Sequence, residues 1–407
     1  MESVDAKKRK IDLSITKTLF KNTYVKLIRN IVLMVQGVFL APLVIGVFGV
    51  NLSGVWFLIT QFSAYLYLAE FGIPSGLTRL HSRSTALNDT KEANDIAVVS
   101  FVLLAVLAIV LVLNTNQLSE LFFHVFDKIE RNESVEFAVM FGILATSLSI
   151  PFRCGVGLLE ANHLFYIHLW VEIIFVTLRL IVLCAIYMNN VFDIEILSII
   201  YFSTTFGIPF IQLVLCVKAR LIVLSCRASS FNPKYFKRLV SLGAAITLIT
   251  ASSTTLRQGS PMILGALDGA AAAALFSLVM LVVTSIMQFL TVAVSFIGPQ
   301  ASQIIALGDS QRLYLLFLDY SKYSLAIAVH TGFFFFFFGE ALLRSWLSLD
   351  FASISSINDA VIILLFTLPL SVPALYGRTV LTYIDRHAVT SASEFLVVLV
   401  GLSLGML

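Results

Sequence analysis

The stretch YLYLAEFGIPSGLTRLHSR, residues 65–83, raises the question on which the fold class depends. It follows about a dozen nearly unbroken apolar residues, yet it carries Glu70, then Pro74, then two arginines. An ionised side chain inside a lipid bilayer costs about 2.5 to 3.5 kcal/mol on insertion scales, so a carboxylate there needs a cavity or a partner. Glu70 is therefore either a buried polar position in a membrane helix or a sign that the segment is soluble.

Composition decides between these two interpretations. Of the 407 residues, 58% are hydrophobic and only 13% are charged, against roughly 25% charged residues in soluble domains. The apolar runs are about 18 to 28 residues long, the length at which a helix crosses a hydrocarbon core of roughly 30 Å. The sequence predicts an all-α, polytopic integral membrane protein. Eleven spans are predicted, at 27–49, 55–77, 96–113, 137–158, 169–188, 194–217, 239–258, 270–297, 323–343, 360–383 and 388–407.

The distribution of basic residues predicts the orientation of the chain. Of the 27 lysines and arginines, 21 fall in the amino-terminal tail and alternate loops, if Arg29 and Arg378, near the ends of their spans, are counted with the adjoining tail and loop. Three fall in the other loops and three lie deeper within spans. Because lysine and arginine near short loops mark the cytoplasmic side, the amino terminus is predicted to be cytoplasmic. About 26 polar residues precede the first apolar run, so this terminus is not a cleavable signal. The asymmetry accounts for the basic residues, and no nucleic acid partner is expected.

The domain organisation follows from the longest polar connection between spans. We predict a cytoplasmic basic tail at 1–26, a first six-helix bundle at 27–217, a linker at 218–238 and a second bundle of about five helices at 239–407. A second bundle one helix short indicates either a truncated sequence or an incomplete bundle.

Two short matches indicate that the halves are repeats. Pro42 and Gly46 recur as Pro261 and Gly265 at an offset of 219, and ALNDT at 86 recurs as ALGDS at 306, an offset of 220. Six helices return the chain to its starting side, so both halves would have the same orientation. The expected architecture is two pseudo-symmetric helical bundles around a central cavity.

Two stretches, APLVIGVFGVNLSGVWFL at 41–58 and YLAEFGIPSGLTRL at 67–80, resemble the opening of the polysaccharide export proteins. These are the Wzx-type O-antigen flippases of the multidrug, oligosaccharidyl-lipid and polysaccharide exporter superfamily. The resemblance is specific over residues 27–95 and looser over RQGSPMILGALDGAAAAALFSLV at 257–279. It is carried by Pro42, Gly46, Gly49, Gly54, Trp56, Glu70, Phe71, Gly72, Thr78 and Arg79.

The resemblance implies a flippase that works by alternating access. Its substrate would be an undecaprenyl-diphosphate-linked oligosaccharide, an O-antigen or other surface polysaccharide unit, moved to the periplasmic leaflet of the bacterial inner membrane. The implied partners are this lipid-linked oligosaccharide, the bilayer, a proton or sodium ion, and a polysaccharide polymerase with its chain-length regulator. The chain departs from the family by having Arg257 and Gln258 where an acidic residue is common. The alternative function is a cation-coupled drug or metabolite antiporter of the same superfamily.

Three arginines inside predicted spans are candidates for binding the substrate. A guanidinium offers a fixed fork of donors and a permanent charge, which suits a diphosphate. Arg179 is near the centre of its span, so a cavity-lining role is favoured. For Arg257, near the outer end of its span, a neighbouring carboxylate or the membrane interface is favoured, and for Arg153 the two interpretations stay open.

Glu70 is also a cavity candidate for binding the substrate. Four residues are candidates for ion coupling: Glu70, Glu172, Glu394 and His330. Each of the three glutamates would either titrate or pair with an arginine. Glu70 completes a polar stripe with Thr60, Ser63 and Tyr67, spaced three or four residues apart. It would pair with Arg153 or Arg179, or would carry a proton. His330 is alone in its span, which favours a packing histidine over a proton relay.

The sequence lacks the motifs of enzymes and of nucleotide-driven transporters. It has no phosphate-binding glycine loop, metal cluster or nucleophilic triad, so no enzymatic activity, cofactor or metal is expected. A membrane polymerase or ligase would need a large outer loop, whereas the longest predicted one, about 114–136, is short. Cys154, Cys184, Cys216 and Cys226 have no metal-ligand spacing and are interpreted as packing residues.

Overall fold

A computed structural model describes residues 2–223, 233–306, 309–347 and 349–383. Every regular element in these ranges is a helix, which confirms the all-α prediction. Eight helices in this part of the chain are long and apolar enough to cross a membrane. The α-helices are α1 (Glu2–Leu66), α2 (Ile73–Ala86), α3 (Thr90–Leu113), α4 (Thr115–Val125), α5 (Glu133–Ser149), α6 (Cys154–Ala161), α7 (Phe165–Met188), α8 (Ile194–Lys218), α9 (Pro233–Thr254), α10 (Ser260–Asp268), α11 (Ala270–Ala306), α12 (Ser310–Trp346) and α13 (Phe351–Tyr383).

Three shorter helical segments bend the chain between these elements. The 3-10 helices Tyr67–Glu70 and Ile150–Arg153 precede α2 and α6, and the π-helix Thr255–Gly259 joins α9 to α10. A 3-10 turn is tighter than an α-turn and a π-turn is wider, so each changes the direction of the side chains that follow. The predicted charged positions Glu70 and Arg153 both stand at the end of a 3-10 helix.

The internal repeat extends to backbone conformation. Asp89 begins α3 and accepts a hydrogen bond from the Glu92 amide at 2.8 Å, while Asp309 begins α12 and accepts one from the Arg312 amide at 2.9 Å. The two aspartates have φ of −88° and ψ of 79° and 81°. An aspartate at this position satisfies an amide that the helix leaves unpaired. The ALNDT and ALGDS matches are thus equivalent helix starts.

The prediction of an outer loop at 114–136 was wrong in part, because residues 115–125 form α4. Phe122 on this helix is fully buried, with ring centroids 5.4 Å from Phe62 and 4.9 Å from Phe126. The segment is too short to cross a bilayer, and length had guided the assignment of spans. Its aromatic face packs into the protein, which stabilises an amphipathic helix that propensity alone would leave marginal.

The helices α1 and α9 begin earlier than the predicted spans, and one predicted span falls outside the described residues. The tail begins helical at Glu2 as part of α1, and α9 starts at Pro233, inside the predicted linker. The predicted span 388–407 and Cys226 lie outside the described residues. Cys154 and Cys216 are buried and free, as expected of packing residues.

The chain divides into two compact units, each discontinuous in sequence. Unit 1 comprises Met1–Gln36, Ala69–Thr115 and Ile143–Ile246. Its helices pack at glycines: a Cβ on Gly155 in α6 would lie 2.5 Å from the Leu213 amide nitrogen of α8, and one on Gly157 would lie 2.7 Å from the Pro74 carbonyl oxygen. Small residues let helices in a membrane approach this closely, and packing rather than hydrophobicity holds them together.

Unit 2 comprises Gly37–Leu68, Asn116–Gly142 and Thr247–Leu407. Its core joins the middle of α1 to α11, α12 and α13 through buried aliphatic residues such as Ile45, Leu278 and Val361. In the run of six phenylalanines on α12, Phe335 is buried while the other five are exposed, as expected for a helix with one packed face. The division of the sequence into bundles at 27–217 and 239–407 stays a prediction.

Candidate functional site

Glu70 and Arg153 form an ion pair in unit 1, between Glu70 Oε1 and Arg153 Nε. The Glu70 side chain is 7% exposed and the Arg153 side chain 37% exposed. Glu160 also interacts electrostatically with Arg153. Of the two partners considered for Glu70, the structure therefore selects Arg153. Each of these residues ends a 3-10 helix, and the two 3-10 helices place the side chains next to each other. Helical periodicity within one span does not predict such a contact.

Glu172 is paired with Arg29 through both carboxylate oxygens. Arg29 Nη2 lies 2.7 Å from Glu172 Oε1, and Arg29 Nε lies 3.0 Å from Glu172 Oε2. This fork geometry is the strong form of a charged hydrogen bond. The pair joins α1 to α7.

Arg179 lies seven residues after Glu172 on α7 and also contacts α1. Its Nη2 donates to Gln36 Oε1 at 2.8 Å, and its Nη1 donates to Thr204 Oγ1 at 3.0 Å. The guanidinium carbon is 4.3 Å from the ring centroid of Tyr201, a cation–π distance. Gln36 follows Arg29 by seven residues and Arg179 follows Glu172 by seven, and both hydrogen-bonded pairs are separated by 143 residues. Parallel α1 and α7 produce this register, and the predicted topology requires the two helices to be parallel.

Arg179 is buried, and no carboxylate among the described residues hydrogen-bonds to it. The residue is 7% exposed, and its Nε has no hydrogen-bond partner among the described residues. Within that part of the chain, Glu172 acts on it only through longer-range electrostatics. Burying a charge among neutral groups costs desolvation free energy, which an oppositely charged ligand can offset. This arginine can therefore receive an anionic group.

His168 and Gln212 form a third contact in unit 1. Gln212 Nε2 lies 2.8 Å from His168 Nδ1 and 3.3 Å from the His168 carbonyl oxygen. Gln212 is fully buried. His168 also interacts electrostatically with Glu172, Arg29 and Arg153. The imidazole thus belongs to the same polar network as the two ion pairs.

The three other predicted site residues are Arg257, His330 and Glu394. Arg257 lies in the π-helix, and its side chain is outside the described part of the structure. His330 is exposed on α12, with Nδ1 2.7 Å from the Ala326 carbonyl oxygen, so it is not packed in the core. Glu394 lies outside the described residues.

Sequence reasoning missed several members of the network: Arg29, Gln36, His168, Tyr201, Thr204 and Gln212. Arg29 was counted with the tail because of its charge. A signal was present on α7, where His168, Glu172 and Arg179 are spaced by four and seven residues and so share one helical face. Gln36 was a further signal, as a lone amide within an apolar run.

Unit 2 contains a separate cavity of about 360 Å³. It lies where residues 51–55 of α1, the loop before α5 and the junction of α10 and α11 meet, and its lining includes none of the predicted site residues. Its polar lining residues are Asn51, Lys128, Glu130, Asn132 and Asp268. Lys128 Nζ donates to the Leu267 carbonyl, and Asn132 Oδ1 accepts from the Val135 amide at 2.9 Å. Two polar groups of the lining are thus already engaged with the protein. Among the described residues no cluster of three histidine, cysteine, aspartate or glutamate side chains could hold a metal ion.

The fold resembles solved transporter structures. One is a multidrug resistance MATE family transporter of the MOP superfamily in an inward-facing conformation, with a TM-score of 0.65 at 14% identity over 92% of this chain and 87% of that one. Another is a MOP superfamily transporter from Pyrococcus furiosus whose binding pocket has reversed polarity, which suggests a different function; its TM-score is 0.64 at 15% identity over 94% and 84% of the two chains.

A third solved structure, an outward-facing MATE family transporter, gives a TM-score of 0.62 at 14% identity over 94% of this chain and 84% of that one. These likenesses show that the chain has the all-α, two-bundle fold of MOP superfamily transporters. No protein-family model matches the chain, and no curated protein matches its sequence.

Proposed function

We propose that this protein is a membrane transporter that moves its substrate by alternating access. The observation that supports it is the likeness of nearly the whole chain to one fold solved in both inward-facing and outward-facing conformations. Rigid bundles that rock about a site between repeats are the usual basis of alternating access. We place the protein in the inner membrane of a bacterium with a cytoplasmic amino terminus, in line with its basic residues.

Two substrate classes follow from different observations. The MATE likeness favours the cation-coupled drug or metabolite antiporter, since one of the similar transporters is a multidrug resistance protein. The buried Arg179, with neutral hydrogen-bond partners, favours an anion, and so does the resemblance of residues 27–95 to the polysaccharide export proteins. On this second view the substrate is the undecaprenyl-diphosphate-linked oligosaccharide, and a polymerase with its chain-length regulator would act on the product.

Transport in reconstituted vesicles tests the general proposal and separates the two classes. Purified protein is placed in proteoliposomes and offered either fluorescently labelled undecaprenyl diphosphate or the cationic dye ethidium. Protection of the labelled lipid from an external quencher, with no ethidium accumulation, supports the flippase. Ethidium accumulation driven by an ion gradient supports the antiporter. If the vesicles move neither probe and native mass spectrometry finds no co-purified polyprenyl diphosphate, the flippase interpretation fails.

Arg179 variants test whether the guanidinium binds the anion. Arg179→Ala should abolish binding of the diphosphate lipid, and Arg179→Lys should keep part of it, because lysine retains the charge and loses the fork. Arg344→Ala is the matched control, since Arg344 is an exposed arginine paired with Glu340 at 3.0 Å. Normal diphosphate binding by a well-folded Arg179→Ala protein would remove the anion argument.

A further inference from the structure

His168 lies next to the ion pair that joins α1 to α7 and interacts with both of its members. It precedes Glu172 by one turn on α7, and Glu172 is held by Arg29 of α1. Four groups act on its imidazole: Glu172 from its own helix, Arg29 from α1, Arg153 from the 3-10 helix Ile150–Arg153, and Gln212 from α8.

The Gln212 amide has two arrangements that differ by one proton on His168. With Nε2 at 2.8 Å from Nδ1, the amide donates and Nδ1 must accept, which makes the imidazole neutral. Gln212 Oε1 has no hydrogen-bond partner among the described residues, although the side chain is fully buried. A protonated Nδ1 is a donor, and it requires the amide to turn and present Oε1 instead. The currently unpartnered oxygen is the acceptor that an imidazolium needs.

The two carboxylates that form ion pairs in the network are less suited to carry the proton. Glu70 and Glu172 each already hold an arginine, so protonating either one would leave a partly buried guanidinium without its counter-charge. Histidine is also the side chain whose unperturbed pKa, about 6.5, is nearest to neutral pH.

We propose that His168 is a proton-binding site of the transporter, with Gln212 as its positioning residue. The inference rests on the proposed function, because a coupling proton needs a transported substrate. Nδ1 takes a proton from water, the Gln212 amide turns, and the same proton returns to water when the imidazole becomes neutral. The imidazolium attracts Glu172 and repels Arg29, so it weakens the contact between α1 and α7. Protonation and helix position are thereby linked.

The first measurement does not depend on any substrate. A spin-label pair at Ile31 on α1 and Ile174 on α7, both exposed, reports their distance by pulsed EPR in purified full-length protein between pH 5 and pH 8. The expected result is a pH-dependent change of distance that His168→Gln abolishes and His124→Gln retains. His124 is an exposed histidine on α4 and belongs to unit 2. A His168→Gln protein with the unaltered pH-dependent change overturns the proposal.

The second measurement is transport of ethidium or labelled undecaprenyl diphosphate in proteoliposomes with an imposed pH gradient. His168→Gln should lose stimulation by the gradient on the order of tenfold, a common size for coupling between two sites, and should keep exchange at equal pH. Failure of wild-type protein to move either probe would reject the proposed function, while the distance change would still decide on His168.

Gln212→Met supplies a second arm if His168→Gln does not reach the membrane. It removes the amide and leaves the imidazole, so the midpoint of the pH-dependent distance change should shift. An unchanged midpoint would show that Gln212 does not position the titrating group.

Discussion

Gly49 and Gly269, 220 residues apart, bend the chain in the same way. Gly49 has φ 68° and ψ 178°, and Gly269 has φ 93° and ψ −179°. Glycine alone adopts this region readily, since a Cβ clashes with the backbone there. Each bend follows a proline and a glycine that the sequence repeats, so the two halves share a backbone device as well as a motif. Gly269 lines the cavity in unit 2, and so does Asn51, two residues after Gly49.

Replacing Gly49 by alanine should destabilise the protein through the backbone alone. A Cβ at this position would meet nothing within 4 Å, so steric contact is not involved. The expected loss is about 1 to 3 kcal/mol, the usual strain of such a conformation in a residue other than glycine. The measurement is the thermal midpoint by size-exclusion chromatography of a fluorescent fusion. Gly46→Ala is the control, because that glycine also has open space but no positive φ; equal midpoints for the two variants would contradict the prediction.

Gly54→Ala should also destabilise the protein, in this case through a steric overlap. A Cβ on Gly54 would overlap the carbonyl oxygen of Ala270, where α1 and α11 approach each other within unit 2. Overpacking of this kind costs about 1 to 3 kcal/mol, and more where the neighbour is backbone that cannot yield. Membrane abundance and thermal midpoint should both fall. Gly332→Ala on α12 meets Phe366 only at ordinary contact distance, 3.8 Å, and should behave like wild type.

The Glu70–Arg153 pair predicts a compensating double variant. Glu70→Gln leaves Arg153 without its carboxylate, and removing one member of a buried pair costs about 3 to 5 kcal/mol; the partial exposure of Arg153 places the loss at the lower end. Adding Arg153→Gln removes the stranded charge and should restore membrane abundance. A double variant as depleted as Glu70→Gln would show that the two side chains do not act as a pair.

The positive-inside distribution predicts the side on which each loop is labelled. In a variant without native cysteines, a cysteine at position 133 should react with an impermeant maleimide in intact cells. A cysteine at position 237 should react only after the membrane is opened. Both Glu133 and Lys237 are exposed, so access to the side chain does not limit labelling. The reverse pattern would invert the topology and, with it, the direction of transport.

The ion pairs of Arg131 should make the attachment of α4 to α5 sensitive to acid. It donates to Glu120 at 2.7 Å and to Glu136 at 2.9 Å. The hydrogen bond from Arg131 lowers the pKa of the Glu120 carboxyl below its ordinary 4.5. The attachment is therefore complete above pH 4.5 and is lost as the pH falls through the lower folded value.

Hydrogen exchange over residues 115–125, corrected for intrinsic rates, measures this attachment. Arg131→Gln should raise exchange at neutral pH towards the level that wild type reaches in acid. Arg344→Gln removes an exposed arginine elsewhere and serves as the control. Unchanged protection in Arg131→Gln would mean that buried Phe122 alone holds the helix.

The sequence by itself determined the class of protein and the approximate spans, and it predicted the orientation and the depth of the charged residues. Each of these depends on local quantities: the length of an apolar run, the count of basic residues in a loop, or the distance of a charge from the end of a span. The helix α4 escaped this reasoning because its packing against Phe62 is not a local property.

The tertiary structure alone decided which charges meet. Periodicity places a residue on a face of its helix, but the rotation of one helix against another depends on packing over the whole unit. Arg29 and Glu172, 143 residues apart, pair for that reason, and so do Glu70 and Arg153. Arg179 is the clearest case: its central depth could be counted from the sequence, whereas its neutral partners Gln36 and Thr204 follow only from the parallel packing of α1 and α7 and from the neighbouring α8.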